Sequence, residues 1–283
     1  MRINLILIMR NERYDFIYLP EKFQKEHKVC EFLLYQIEDF VSKDLYNGLR
    51  TQTIEFKEEP VFLNDEHILD YLTRIGEKEK HDEVITSHIL HAVIADTCQF
   101  LQIALYASLQ KRLTVALSLI RKPFVYNLIV ILRLYFTTDF LDKFDNEENF
   151  DTAGLSTTDV QQLLKATEVV LISNTIKADV IYDIVFNRTS ADSIVSMSNK
   201  ALHPSTTQHR NNLTEIQNIN FVFSTAESIE TQWNYLYRKL PLLLLYLNEV
   251  LEFIIFDHLK LDDEEYTKRL IERAEFFKNN EAK

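Results

Sequence analysis

From Ser108 to Phe140 the chain reads SLQKRLTVALSLIRKPFVYNLIVILRLYFTTDF, and no other stretch narrows the choice of fold as much. With Leu113 as origin and about 100° per residue, Leu117, Ile120, Phe124, Leu128, Ile131 and Tyr135 all fall within about 60° of it. A continuous apolar face of this length predicts a helix, and the apolar character of the remaining circumference predicts that several neighbours bury it. Pro123 lies inside the pattern, so the helix is expected either to kink there or to restart with the proline in a first turn. The same stretch is electrostatically unusual. No acidic residue occurs between Asp96 and Asp139 in a protein of formal net charge -12, yet Lys111, Arg112, Arg121, Lys122 and Arg133 all do.

Three glycines and five prolines in 283 residues leave little material for tight turns or phosphate-cradling loops, which argues against Rossmann or Walker-type nucleotide sites. The expected fold is all-α: a single domain over residues 1–283, a multi-helix bundle around the buried central helix, with at most one or two short strands. A flexible connection is expected near 142–155, where the chain turns acidic and rich in asparagine. Cys30 and Cys98 lack C-x-x-C spacing and read as buried thiols of a reducing compartment. The apolar run before Arg10 is too short for a signal-peptide core, so the expected location is cytoplasmic. Leu240 to Phe256 is interrupted by Asn248, Glu249 and Glu252 and reads as a core helix rather than a membrane span.

Helical spacing further predicts helices over 21–47, 65–75 with Asn64 as cap, 84–110, 157–172, 175–186, 190–202 and 262–278. Ser224 and Glu227 match a capping box opening a long helix to about His258, kinked near Pro241. Its Leu236–Phe256 part is the expected main partner of the central helix. Strand character is conceivable at the N-terminus, at 53–56 and at 219–223.

Three groups of residues could carry chemistry. Lys111, Lys122 and Arg133 are eleven residues apart and would line one side at intervals of about 16 Å if the helix ran unbroken. Either carboxylates elsewhere pair with these cations, or the Arg121-Lys122-Pro123 break forms a local anion site for phosphate or an RNA backbone. A second acid-free stretch, 193–214, contains Asn199, Lys200, His203, His209 and Arg210. In Asn199-Lys200-Ala201-Leu202-His203-Pro204 the asparagine and histidine share one side of a helix end. His203 could serve as a general base toward a ribose 2′-hydroxyl, or it could cap its own helix. His88, His91 and Asp96 form a third group, but two histidines at i, i+3 leave a metal site short of ligands, and neither metal nor cofactor is expected.

The helix ending in a polar residue and His203 resembles the HEPN superfamily, all-α proteins that often carry an Arg, four to six residues, and then a His. That superfamily includes RNA-cleaving toxins, defence effectors and non-catalytic members. Ser198 stands where the commonest spacing would put the Arg, Asn199 matches the polar residue that often follows, and Arg121 or Arg133 would have to supply the missing charge. The resemblance implies a metal-independent ribonuclease in which His203 and Asn199 are catalytic and Arg121, Lys122, Lys200 and Arg210 bind RNA through a local basic patch. The alternative is a non-catalytic helical interaction protein, a homodimer or a scaffold for a protein partner.

Overall fold

Helix-forming sequence dominates the computed structural model, which describes residues 16, 18–56, 59–171, 176–206, 213–214, 216, 219–221 and 225–281. The protein is all-α, with no strand among the described residues. The helices are α1 (Glu21–Ser42), α2 (Ile68–Arg74), α3 (Lys78–Leu109), α4 (Leu113–Leu119), α5 (Leu128–Phe136), α6 (Phe140–Asn146), α7 (Thr157–Val170), α8 (Ala178–Val185), α9 (Ile194–Leu202), α10 (Ala226–Leu259) and α11 (Asp263–Glu281). A 3₁₀ segment, Asp44–Leu49, follows α1, and a π-helical turn, Lys122–Asn127, joins α4 to α5.

The Leu113 face is buried as its spacing predicts: Leu113, Leu117, Ile120, Phe124, Leu128 and Ile131 are each at most 2% exposed. Pro123 stands in the first turn of the π segment, the restart that its position in the sequence predicts. Its ring would crowd the preceding turn and it has no N–H to donate. The backbone instead widens by one residue, and the Leu128 N–H bonds to the Pro123 carbonyl.

The packing hierarchy differs from the sequence expectation. The main partner of α10 is α1, whereas α4 and α5 lie chiefly against α3, α7 and α9. Polar side chains along α10 explain the preference. Asn248 donates to the Leu33 carbonyl of α1 at 2.9 Å, and Trp233 Nε1 donates to the Ser108 carbonyl of α3 at 3.1 Å. Tyr237 places its hydroxyl 2.7 Å from His27 Nδ1 and 2.6 Å from Ser108 Oγ. Leaving these groups unpaired in the core would cost about 1–3 kcal/mol each, which ties α10 to α1 and α3 in one register. Cys30 and Cys98 are buried, and burial raises both thiols well above their ordinary range.

Several boundaries move. α3 begins at Lys78 rather than at residue 84, because the charged run 78–83 occupies helical turns. His67, not Asn64, caps α2 by accepting from the Leu69 N–H at 3.3 Å. Residues 142–146 complete α6, and Thr225 caps α10 by accepting from Ser228 N–H at 3.2 Å. The suggested strand at the N-terminus, part of the one at 219–223, and Ser224 lie outside the described residues. Two helical runs, Lys78–Leu109 and Leu113–Phe136, are long and apolar enough to cross a membrane by length and composition. Within the bundle they pack on each other, and α9 covers a further side of α4.

Candidate functional site

Arg121 occupies the last position before the π turn, and the turn determines what lies beside it. In an α-helix, residues five apart point about 140° away from each other. A π turn closes its hydrogen bond over five residues, so Tyr126 comes back beneath Arg121. Arg121 Nε and Nη2 donate to the Tyr126 hydroxyl at 3.2 and 3.1 Å. Nη1 reaches across to α9, where it bonds to the Asn199 side-chain oxygen and approaches Ser198 Oγ at 3.5 Å. The two acid-free stretches of the sequence therefore meet at Arg121.

All of these acceptors are neutral. Among the described residues Arg121 has no carboxylate partner. Asp96 is held instead by Lys122 at 2.7 Å and by Asn127 Nδ2 at 2.8 Å, and that amide also donates to Thr97 Oγ1 at 2.9 Å. Lys122, expected as a second anion ligand, thus already has its carboxylate, and its ammonium lies 4.7 Å from the Phe100 ring centre. The proposed row of three cations does not form. Lys111 stands in the turn before α4 at φ 59°, over the Tyr18 ring, while Arg133 donates to the Asp151 carbonyl at 2.6 Å and faces the Phe150 ring.

The α9 helix starts at Ser193, whose hydroxyl accepts from the Ser196 N–H at 3.3 Å, and ends at His203. The backbone of His203 is extended, as the following proline demands. Its N–H donates to the Asn199 carbonyl at 3.0 Å and its carbonyl accepts from Asn220 Nδ2 at 3.0 Å. The imidazole is exposed and makes no hydrogen bond among the described residues, so it does not cap the carbonyls of α9. Asn199 and Lys200 lie about 100° apart around the helix, and His203 follows one residue past its end. Arg121 is bound on the Asn199 side.

On the Lys200 side lies a cavity of about 790 Å³, bordered by Met197, Asn220, Phe221, Thr225, Tyr235 and Arg238 among others. Arg238 pairs with Asp192 at 2.9 Å, and the same carboxylate holds Lys239 at 2.8 Å, whose ammonium sits 4.7 Å from the Tyr235 ring centre. The Tyr235 hydroxyl is buried and has no hydrogen-bond partner among the described residues. Burial, and secondarily Asp192, raise this phenol, so it stays protonated and able to donate.

Arg210 and His209 lie outside the described residues. His88 and His91 do not assemble a metal site with Asp96, which is committed to Lys122 and Asn127. A group not anticipated from sequence is His81, Asp82 and Asp145, whose ligand atoms lie within 4.8 Å of one another, with His81 Nδ1 3.1 Å from Asp82. Sequence reasoning also missed Tyr126, because a five-residue spacing carries no signal at the α-helical period. Comparison of the chain with protein-family models, with curated proteins and with solved structures found no match.

Proposed function

We propose that the face formed by Arg121, Asn199, Lys200 and His203 binds an RNA phosphodiester and cleaves it, in the manner of HEPN-like ribonucleases. The observation that carries this reading is the Arg121 guanidinium, fixed on Asn199 by neutral acceptors and without a carboxylate among the described residues. A cation so held retains its attraction for an external phosphate, because no carboxylate among the described residues pairs with it. It also lies against Ser198, the position at which the resemblance calls for an arginine, so a residue distant in sequence would supply the missing charge.

In the reaction, neutral His203 removes the proton from a ribose 2′-hydroxyl, and the 2′-oxygen attacks the adjacent phosphorus. Negative charge on the phosphoryl oxygens is stabilised by Arg121, with Lys200 adding field strength. The bond to the 5′-oxygen breaks and that oxygen takes up a proton, leaving a 2′,3′-cyclic phosphate and a 5′-hydroxyl. Asn199 holds the guanidinium in place. Arg210 belongs to the same acid-free stretch and is a further candidate for backbone contact.

The test is cleavage of a single-stranded RNA by the purified protein and by His203→Ala. Loss of the general base should lower the rate by about 10²–10⁴-fold, with cyclic phosphate ends in the wild-type products. Equal cleavage by both proteins, or cleavage by neither, would overturn the enzymatic reading in favour of a non-catalytic interaction protein.

A further inference from the structure

We infer, resting on the preceding reading of Arg121 as a phosphate site, that Tyr126 is a direct ligand of that phosphate. Its hydroxyl donates to one phosphoryl oxygen while the guanidinium donates to another. A guanidinium has five N–H groups and no acceptor. Four of those on Arg121 are aimed at neighbours. Nε–H and one N–H of Nη2 meet the Tyr126 hydroxyl at 3.2 and 3.1 Å, and the pair on Nη1 meets the Asn199 side-chain oxygen and Ser198 Oγ, the latter at 3.5 Å. The fifth, on Nη2, has no acceptor among the described residues.

The contact with Arg121 dictates what Tyr126 can offer a ligand. With two N–H groups directed at its oxygen, the phenol has only its own proton left to give, and that proton points away from the cation. Among the described residues no acceptor meets it, and Tyr126 is 41% exposed. Sharing its lone pairs with a cation also polarises the O–H and strengthens it as a donor. Asn199 is oriented by the same constraint: only its oxygen can face a guanidinium, so its amide N–H groups face elsewhere and have no acceptor among the described residues. The groups around Arg121 therefore present donors, the pattern that an anion satisfies. The Tyr126 oxygen and Arg121 Nη2 stand 3.1 Å apart, a spacing that lets O–H and N–H engage two oxygens of one phosphate, as the two N–H groups of an arginine fork do. Lys122 cannot take this place, because Asp96 holds it at 2.7 Å.

The probe is a 2′-O-methyl dinucleoside monophosphate, which has one diester and no 2′-hydroxyl to attack. It is titrated calorimetrically into wild type, Tyr126→Phe and Arg121→Ala. Its two phosphorothioate isomers are titrated as well; each keeps the charge but replaces one nonbridging oxygen with sulfur, a poor acceptor. Tyr126→Phe should bind the all-oxygen probe about tenfold more weakly, the value of one hydrogen bond to a charged group. The penalty should nearly vanish for one phosphorothioate isomer, the one whose sulfur faces residue 126, and persist for the other. The urea midpoint of Tyr126→Phe should match that of wild type. Unchanged affinity in Tyr126→Phe, with weakened affinity in Arg121→Ala, would keep the phosphate at Arg121 and overturn the role of Tyr126. A penalty of equal size for both isomers would also overturn it, making Tyr126 only a support for the guanidinium. No binding by wild type, or affinity in Arg121→Ala equal to wild type, would reject the phosphate site itself and Tyr126 with it.

Discussion

The arginines of α11 and the arginine before the π turn have opposite surroundings. Where α11 docks, Arg269 Nε meets the Glu252 carboxylate at 2.8 Å and Arg273 bonds to the same oxygen. Arg269 also donates to the Gln36 carbonyl at 2.9 Å and lies over the Phe40 ring, and Arg273 donates to the Gln36 side chain at 2.9 Å. Burial works against the Arg269 charge, but the Glu252 carboxylate and its other neighbours outweigh it and hold the group above its ordinary value. Where α4 meets α9, Arg121 is half-buried and among the described residues has only a phenol, an amide and a hydroxyl. The first arrangement spends its charge on holding three helices together. The second leaves its charge on neutral acceptors among the described residues, which is what the proposed phosphate site requires.

The difference can be broken or sharpened experimentally. The largest effect is expected at Glu252→Ala, which takes the nearest carboxylate from two buried guanidinium groups, leaving Arg269 only Asp39 at 3.9 Å, and should lower unfolding free energy by about 3–5 kcal/mol. Urea unfolding measures this; a loss under about 1 kcal/mol would mean that the α11 cluster is not structural and would dissolve the contrast. The same variant should leave the affinity for RNA unchanged per folded molecule.

A smaller effect is expected from pH. His258 lies 2.7 Å from Ser87 Oγ, and burial, partly offset by the Glu83 carboxylate, holds its imidazole below the ordinary value of 6.5. The unfolded chain therefore binds the proton more readily than the folded one. Stability contributed by neutral His258 is present above pH 6.5 and is lost as pH falls through that value toward the lower folded one. The thermal midpoint should drop on acidification across this window, and His258→Gln should reduce the drop. An unchanged pH profile in the variant would assign the titration elsewhere, His91 being the next group that burial depresses.

Much of the fold was legible because period and burial act locally. The near absence of glycine, the Leu113–Ile131 face and the Leu202 end of α9 before His203-Pro204 each follow from residues close in sequence. The convergence of the two acid-free stretches was legible only as a possibility, since charge can suggest a meeting but not a distance. What the α-helical period concealed is the π turn. One extra residue in the turn after Pro123 brings Tyr126 under Arg121, and a reading at 100° per residue places them on different sides. The partner of α10 was misjudged for a related reason. Apolar length ranks helices by how much they bury, whereas Asn248, Trp233 and Tyr237 decide against whom.

The most direct test of the contrast is the affinity of a labelled single-stranded RNA for wild type and Arg121→Ala, followed by fluorescence anisotropy at fixed salt, alongside urea unfolding of both. The account predicts affinity weakened about ten- to a hundredfold, as for loss of a charged hydrogen bond to phosphate, with the unfolding midpoint almost unmoved. An affinity equal to wild type, or a loss of stability as large as that of Glu252→Ala, would contradict it and make Arg121 another structural arginine.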